Sequence, residues 1–206
     1  MPRPDLAALA APGHTAVVTQ ELQGAVVGPE AGLPVLAEEA RRRALPNVAR
    51  LLPVARAAGV HVVHCLFHRR PDGLGTNRNA RLFMATAGRT DVSPGSPGAS
   101  LLPELGPAPS DLTLYRWHGV GPMGGTDLDA VLRNLGVSTV VAVGVNVNVA
   151  ITSLVMDAVN AGYQVLLPRD AVAGVPADYA DAVIDNSLSL LATVTTTDAL
   201  LEAWSR

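Results

Sequence analysis

The chain has 206 residues, 49% of them apolar and 16% charged, which is enough to bury a substantial core and too apolar for a disordered chain. With 15 basic and 18 acidic residues the net charge is −3, so there is no basic footprint for nucleic acid or an anionic membrane. Every basic residue is Arg and the one cysteine is Cys65, which excludes a Schiff-base or P-loop lysine, an internal disulfide, a CxxC redox pair and a cysteine-rich zinc site.

The length predicts a single domain over residues 1–206. The opening segment, Met1-Pro-Arg-Pro-Asp5 and the Ala/Leu run broken by Pro12-Gly13, is too short and too weakly apolar for a signal peptide. No uninterrupted apolar stretch reaches the length of a membrane span, so a soluble cytoplasmic protein is expected. The Ala, Gly, Val, Arg and Pro bias points to a GC-rich bacterial coding sequence.

Short β-branched runs alternate with longer helical patterns, as in βαβ units. Thr15 to Gln20 reads as the first strand. Val35 to Ala58 reads as a helical region disturbed at Pro46 and Pro53 and ended by Gly59, and Val60 to Phe67 as the second strand. Residues 69–110, rich in Pro, Gly, Ser and Asn, are expected to be mostly loop, long enough to suggest a lid or an interface. Asp111 to Tyr115 is the third strand, and Thr126 caps a helix that runs to Asn134. Ser138 to Val145, apolar almost throughout, has the character of a central parallel strand buried on both faces. A helix from Val147 to Ala161, a strand from Tyr163 to Leu167, a helix from Pro176 through Leu191, a strand from Ala192 to Thr196 and a short helix from Asp198 complete the pattern. The expected fold is α/β: a doubly wound, mainly parallel six-stranded sheet with helices on both faces. In such sheets ligands bind beyond the carboxyl ends of the strands, at the topological switch point.

Three strand ends therefore carry the candidate chemistry. Glu21, followed by Gln23, is a general acid or base, or a solvated loop carboxylate. Arg116, flanked by Tyr115, Trp117 and His118, can hold a substrate carboxylate or sit in a structural ion pair, and it cannot act as a base. Gly144-Val-Asn-Val-Asn-Val-Ala150 meets a helix N-terminus, where backbone amides can bind an oxyanion and Asn146 or Asn148 can cap the helix. His61, His64 and His68 divide between two faces of a strand with no carboxylate pattern beside them, so no metal site is expected. Cys65 reads as a small buried hydrophobe, and Gly121-Pro-Met-Gly-Gly125 as a turn.

Several segments in order resemble the isochorismatase-like hydrolase superfamily, which includes cysteine amidohydrolases such as nicotinamidases and N-carbamoylsarcosine amidases. They are Glu21-Leu-Gln23, Arg116, Gly125-Thr-Asp-Leu128, Leu132-Arg-Asn-Leu-Gly136, Gly144-Val-Asn-Val-Asn-Val-Ala-Ile151, Asp157-Ala158, Gly162-Tyr163 and Asp170-Ala171. In that family the first segment begins with Asp, a Lys ends the third strand, and a nucleophilic Cys follows the central strand. The resemblance places Glu21, Arg116 and Ala150 at those positions, which removes the thiolate that acyl-enzyme chemistry needs. Members that cleave the vinyl ether of isochorismate work without the Cys, using the strand-1 carboxyl group as the acid. The resemblance thus implies a hydrolase of a small, carboxylate-bearing molecule. Glu21 and Arg116 are its catalytic pair, and Gln23, His118, Asn146, Val149 and Ala150 are substrate-binding. It implies no cofactor, a homodimer or homotetramer, and a cis peptide near Val145-Asn146. Two other readings stay open: a hydrolase in which Glu21 activates water as a base, and a silent member kept as a small-molecule binding or subunit protein.

Overall fold

The computed structural model describes residues 5–205; Met1 to Pro4, the first part of the opening segment, and Arg206 lie outside the described residues. The strands are β1 (Thr15–Gln20), β2 (His61–Phe67), β3 (Leu112–Arg116), β4 (Thr139–Val145), β5 (Gln164–Pro168), β6 (Val172–Ala173) and β7 (Thr193–Thr195). All their pairings are parallel, in the order β3-β2-β1-β4-β5-β7, with β6 added on β4. The sequence predicts six strands and the described residues form seven. β6 is only two residues long, too short for any apolar or alternating pattern to mark it, and it forms by pairing with Gly144 and Val145.

The helices are α1 (Leu6–Leu9), α2 (Gly24–Val27), α3 (Pro34–Arg42), α4 (Ala44–Ala57), α5 (Arg81–Thr86), α6 (Leu128–Asn134), α7 (Thr152–Asn160), α8 (Ala177–Asn186) and α9 (Thr197–Trp204). Two cores result. On one face α3, α4 and α9 pack on Val17, Val62, Val141 and Val143; on the other α6, α7 and α8 pack on Val18, Val63, Val140 and Ala142. Alternate residues of each strand point to opposite faces, so a strand covered on both sides must be apolar throughout. β4 meets that demand, with all seven residues buried. None of the described helices is long and apolar enough to cross a membrane.

The helical region expected over 35–58 is two helices that meet at Arg43. Pro46 falls in the first turn of α4, where a missing N–H costs nothing, so the break precedes it. Pro53 stands inside α4, and its exposed side leaves the buried stripe Leu45, Val48, Leu51, Leu52 and Ala55 intact. The helix predicted to reach Leu191 ends at Asn186 and gives way to a 3-10 turn. Residues 69–110 are mostly loop, as expected, with α5 and two 3-10 turns inside them.

A polar network is sealed inside the α4 side of the sheet. Asp111, just before the edge strand β3, has a side chain 3% exposed. It accepts from Arg56 Nε at 3.0 Å and Nη2 at 2.7 Å, from the Ala108 N–H at 2.9 Å and from His64 Nε2 at 3.2 Å. A carboxylate only accepts, so Nε2 carries the proton. In the neutral ring Nδ1 is then left to accept from the Thr19 hydroxyl at 2.8 Å. Burial lowers the His64 pKa, and the Asp111 hydrogen bond opposes it without winning. Burial raises the Asp111 pKa, but the bonds from Arg56, Ala108 and His64 prevail and hold it below the ordinary carboxylate value.

The pH dependence of stability follows. Below the ordinary histidine value near 6.5 the unfolded chain takes up a proton that folded His64 refuses, so stability falls as the pH drops through that window. The Asp111 contribution is present above about pH 4 and is lost as the pH falls toward its lowered folded value. Urea midpoints measured from pH 7.5 down to 5 should decline, and His64→Gln should flatten the decline above pH 5. An equally steep decline in His64→Gln would refute the assignment.

Candidate functional site

β1 and β4 are neighbours whose connections leave toward opposite sides of the sheet, so their carboxyl ends flank the switch point. The two strands come very close there. Gly144 has φ +112°, and a Cβ on it would lie 2.3 Å from the Gln20 carbonyl oxygen. Any side chain at 144 would push apart the two strand ends that carry Glu21 and Asn146.

Glu21, directly after β1, is the one non-glycine residue with a positive φ among the described residues, at +55°. That left-handed conformation costs roughly 1–2 kcal/mol. It persists because the turn is pinned: the Glu21 N–H donates to the Cys65 carbonyl at 2.9 Å, and Leu22 and Gly24 bond to Leu102 and Ser100 at 3.1 and 3.0 Å. The turn brings the Glu21 side chain to the wall of a cavity of about 110 Å³, where Arg116, His118, Asn146, Val149 and Ala150 also line the wall. The volume is room for a small organic molecule.

Arg116 is the last residue of β3 and its side chain is 4% exposed. Its Nη2 donates to Glu21 Oε1 and its Nε to the Gly119 carbonyl at 3.2 Å. Its Nη1 is buried with no partner. Burial pulls the guanidinium pKa down to about 10, which leaves it charged at neutral pH. The ion pair read from the sequence is therefore present, in a side chain that lines the cavity and keeps one buried donor unpartnered.

Asn146 begins the segment after β4. The peptide between Val145 and Asn146 is cis. The Asn146 side chain accepts from the Asn148 N–H at 3.1 Å, and its carbonyl accepts from Ile151 at 3.0 Å. The expected helix thus begins with a π turn over Val147–Ile151 ahead of α7. That wider turn holds Val149 and Ala150 at the cavity, while the Asn148 amide donates away from it, to Val175 at 2.7 Å.

Gln23 is placed elsewhere. Its side chain is wholly buried outside the cavity wall, donating to Phe67 and Gly98 at 3.1 and 2.9 Å and accepting from the Phe67 N–H at 2.8 Å. It fixes the end of β2, and so the Phe67 ring, which does line the cavity. His68 lines it too, stacked on Tyr115 at 3.8 Å. Cys65 is fully buried within β2, off the cavity wall, and burial pushes its thiol up to about 12. No group of three or more His, Cys, Asp or Glu side chains among the described residues is placed to hold a metal ion.

The long loop expected over 69–110, read from the sequence as a lid or an interface, supplies one wall of the cavity, its roof, although the sequence singles out none of its residues. Thr76, Asn77, Leu82, Phe83, Thr86, Arg89 and Thr90, from the long loop and α5, close over the strand ends. The Asn77 side chain accepts from the Gly119 N–H at 2.7 Å, Arg89 Nη1 donates to the Gly32 carbonyl at 3.0 Å, and Thr90 donates to the Glu30 carbonyl at 3.0 Å. The unusual length of the loop was the available signal, but nothing in its composition says which residues turn inward.

Comparison with known proteins agrees with this architecture. A model of the isochorismatase domain matches residues 15–199. The uncharacterized isochorismatase family protein YecD of Escherichia coli O157:H7 is 28% identical over 197 residues, covering 92% of this chain and 95% of that protein. A similar protein of Bacillus subtilis, YwoC, is 35% identical over 74 residues, and the match spans 36% of this chain and 39% of YwoC. Among solved structures, a cysteine hydrolase from Pseudomonas syringae pv. phaseolicola superposes with a TM-score of 0.82 at 25% identity, covering 94% of this chain and 93% of that one. An N-carbamoylsarcosine amidase from Thermoplasma acidophilum shares the fold, with a TM-score of 0.73 at 22% identity over 90% of this chain and 97% of that one.

Proposed function

The chain belongs to the isochorismatase family, and from that premise we propose that its cavity hydrolyses a small carboxylate-bearing molecule without a cysteine nucleophile, with Glu21 as the general acid or base. One observation carries this reading: Glu21, Arg116 and Ala150, which stand on three different segments, line a single cavity, and the first two are paired in it. Ala150 occupies the place of the family's nucleophile. Cys65, the chain's one thiol, is buried off the cavity wall and held almost entirely protonated, so it cannot substitute.

Cleavage of a vinyl ether suits these residues. The free Nη1 of Arg116 takes the substrate carboxylate. As that carboxylate draws the cation toward itself, Glu21 can carry a proton to the terminal alkene carbon. Water adds to the resulting oxocarbenium carbon and returns a proton to Glu21. The hemiketal then collapses to a carbonyl compound and an alcohol, with one water consumed. In an ester or amide, Glu21 paired with Arg116 would instead take a proton from the attacking water. The pH–rate profile separates the two: a rate that falls with rising pH marks the acid, and one that rises marks the base.

The test is a panel of vinyl ethers, esters and amides bearing a carboxylate. The wild type should turn over at least one, and Glu21→Gln should lower kcat by at least about a hundredfold. Full activity in Glu21→Gln would overturn the assignment. Binding of these compounds with no turnover of any would identify the protein as a binding member of the family.

A further inference from the structure

The chain carries a net charge of −3, yet its cavity has the opposite character. Three guanidinium groups line it, from Arg69, Arg89 and Arg116, against one carboxylate, that of Glu21. Arg116 pairs with Glu21; neither Arg69 nor Arg89 has a carboxylate partner among the ion pairs of the described residues. Both are held by neutral groups instead. Arg69 donates to the Thr86 carbonyl and hydroxyl at 3.3 and 3.2 Å and lies over the Phe67 ring, 5.4 Å from its centroid. Arg89 donates to the Gly32 carbonyl. Its backbone N–H bonds to the Thr86 carbonyl at 3.4 Å, so one residue of α5 anchors both cations to the roof.

Holding the partly buried Arg69 beside a cavity with no counter-ion is unfavourable for the empty protein, and burial pulls its pKa down; Arg89 is exposed at the rim. Elsewhere on the surface Arg42, Arg50, Arg70, Arg133 and Arg169 each meet an acid, whereas the exposed Arg41, Arg78 and Arg81 have no carboxylate partner among the described residues. What sets Arg69 and Arg89 apart is that both line one cavity, where an incoming anion can meet them together. Arg116 is tied to Glu21, whereas Arg69 and Arg89 are tied to Thr86 of α5, so the cavity offers guanidinium groups on two different supports.

We propose that Arg69 and Arg89 form a second oxyanion subsite in the roof, and that the natural ligand carries a second anionic group, a carboxylate or a phosphate, besides the one held by Arg116. The inference rests on the functional reading above. It makes the two roof arginines specificity-determining residues rather than catalytic ones. The ligand would bridge floor and roof, and the roof would be drawn down by the ligand's own charge.

Binding measured by calorimetry with benzoate, benzene-1,3-dicarboxylate and 3-phosphonobenzoate tests this. The wild type should bind at least one dianion about tenfold or more tightly than benzoate, since a charge-assisted bond to a guanidinium is worth that much. The dicarboxylate and phosphonate arms tell which oxyanion the roof prefers. Arg89→Gln and Arg69→Gln should each erase most of that advantage and leave benzoate affinity unchanged. Arg69→Lys, which keeps the charge, should retain part of it even if Arg69→Gln loosens the roof. Arg116→Gln should weaken benzoate itself. Equal affinity of wild type for benzoate and both dianions, with benzoate still dependent on Arg116, would overturn the roof subsite and leave the functional reading standing. Failure of all three probes to bind the wild type would overturn both.

Discussion

Asp111→Ala should destabilise the protein by about 3–5 kcal/mol, the cost typical of removing one partner from a buried ion pair. Asp111 is an unusually committed acceptor. Two bonds from Arg56, one from His64 and one from the Ala108 N–H all end on its two oxygens, and its side chain is 3% exposed. Truncation leaves the Arg56 guanidinium, 15% exposed, without its anion and the wholly buried His64 without its acceptor. Asp111→Asn keeps the shape but not the charge, so it should fall between wild type and Ala. Urea denaturation at pH 7.5 measures both. A loss below about 1 kcal/mol for Asp111→Ala would put the network in the class of exposed pairs and refute its structural role.

Ala150→Cys should turn a protein that resists alkylation into one that is labelled stoichiometrically. In the wild type the one thiol is fully buried with its pKa pushed up to about 12, so native protein should react with iodoacetamide negligibly over hours. Ala150 lines the cavity at the start of a helical segment, among guanidinium groups that favour a thiolate. A thiol with an ordinary pKa near 8.5 already has on the order of 10³ times the thiolate fraction of one at 12. Mass spectrometry of the intact chain gives the stoichiometry, and a tryptic digest gives the site. Labelling of native wild type at a rate comparable to Ala150→Cys would refute the placement of Cys65. A silent Ala150→Cys would show that position 150 does not face the cavity.

Much of the fold was legible in the sequence because strong patterns have single solutions. The unbroken apolar run of β4 can only be satisfied by a strand covered on both faces, and Thr15 to Gln20 was bounded correctly by its neighbours. What escaped was set by tertiary partners rather than by local preference. β6 exists because Gly144 and Val145 offer it hydrogen bonds, and the π turn exists because the Asn146 carbonyl reaches Ile151. At the site, the positions of Glu21 and Arg116 followed from strand ends and switch-point logic. The left-handed backbone of Glu21 did not, since Glu has no preference for it and only the bonds around residues 21–24 impose it. Gln23 shows the reverse error: two residues from Glu21 in sequence, it serves the backbone of β2 and the 97–99 turn instead of the cavity.

β3 is the outermost strand at its end of the sheet, paired with β2 alone. Such a strand is normally the first to fray. Here its lower end is nailed down by Asp111 and its upper end delivers Arg116 to the cavity. The buried charge at the cavity wall is thus carried on a lever whose fulcrum lies five residues away, at the opposite end of the strand. Loosening the fulcrum, by acid or by mutation, should release Arg116 from Glu21 before the rest of the sheet lets go. Backbone amides of 112–116 would report that release by hydrogen exchange while those of β4 stay protected.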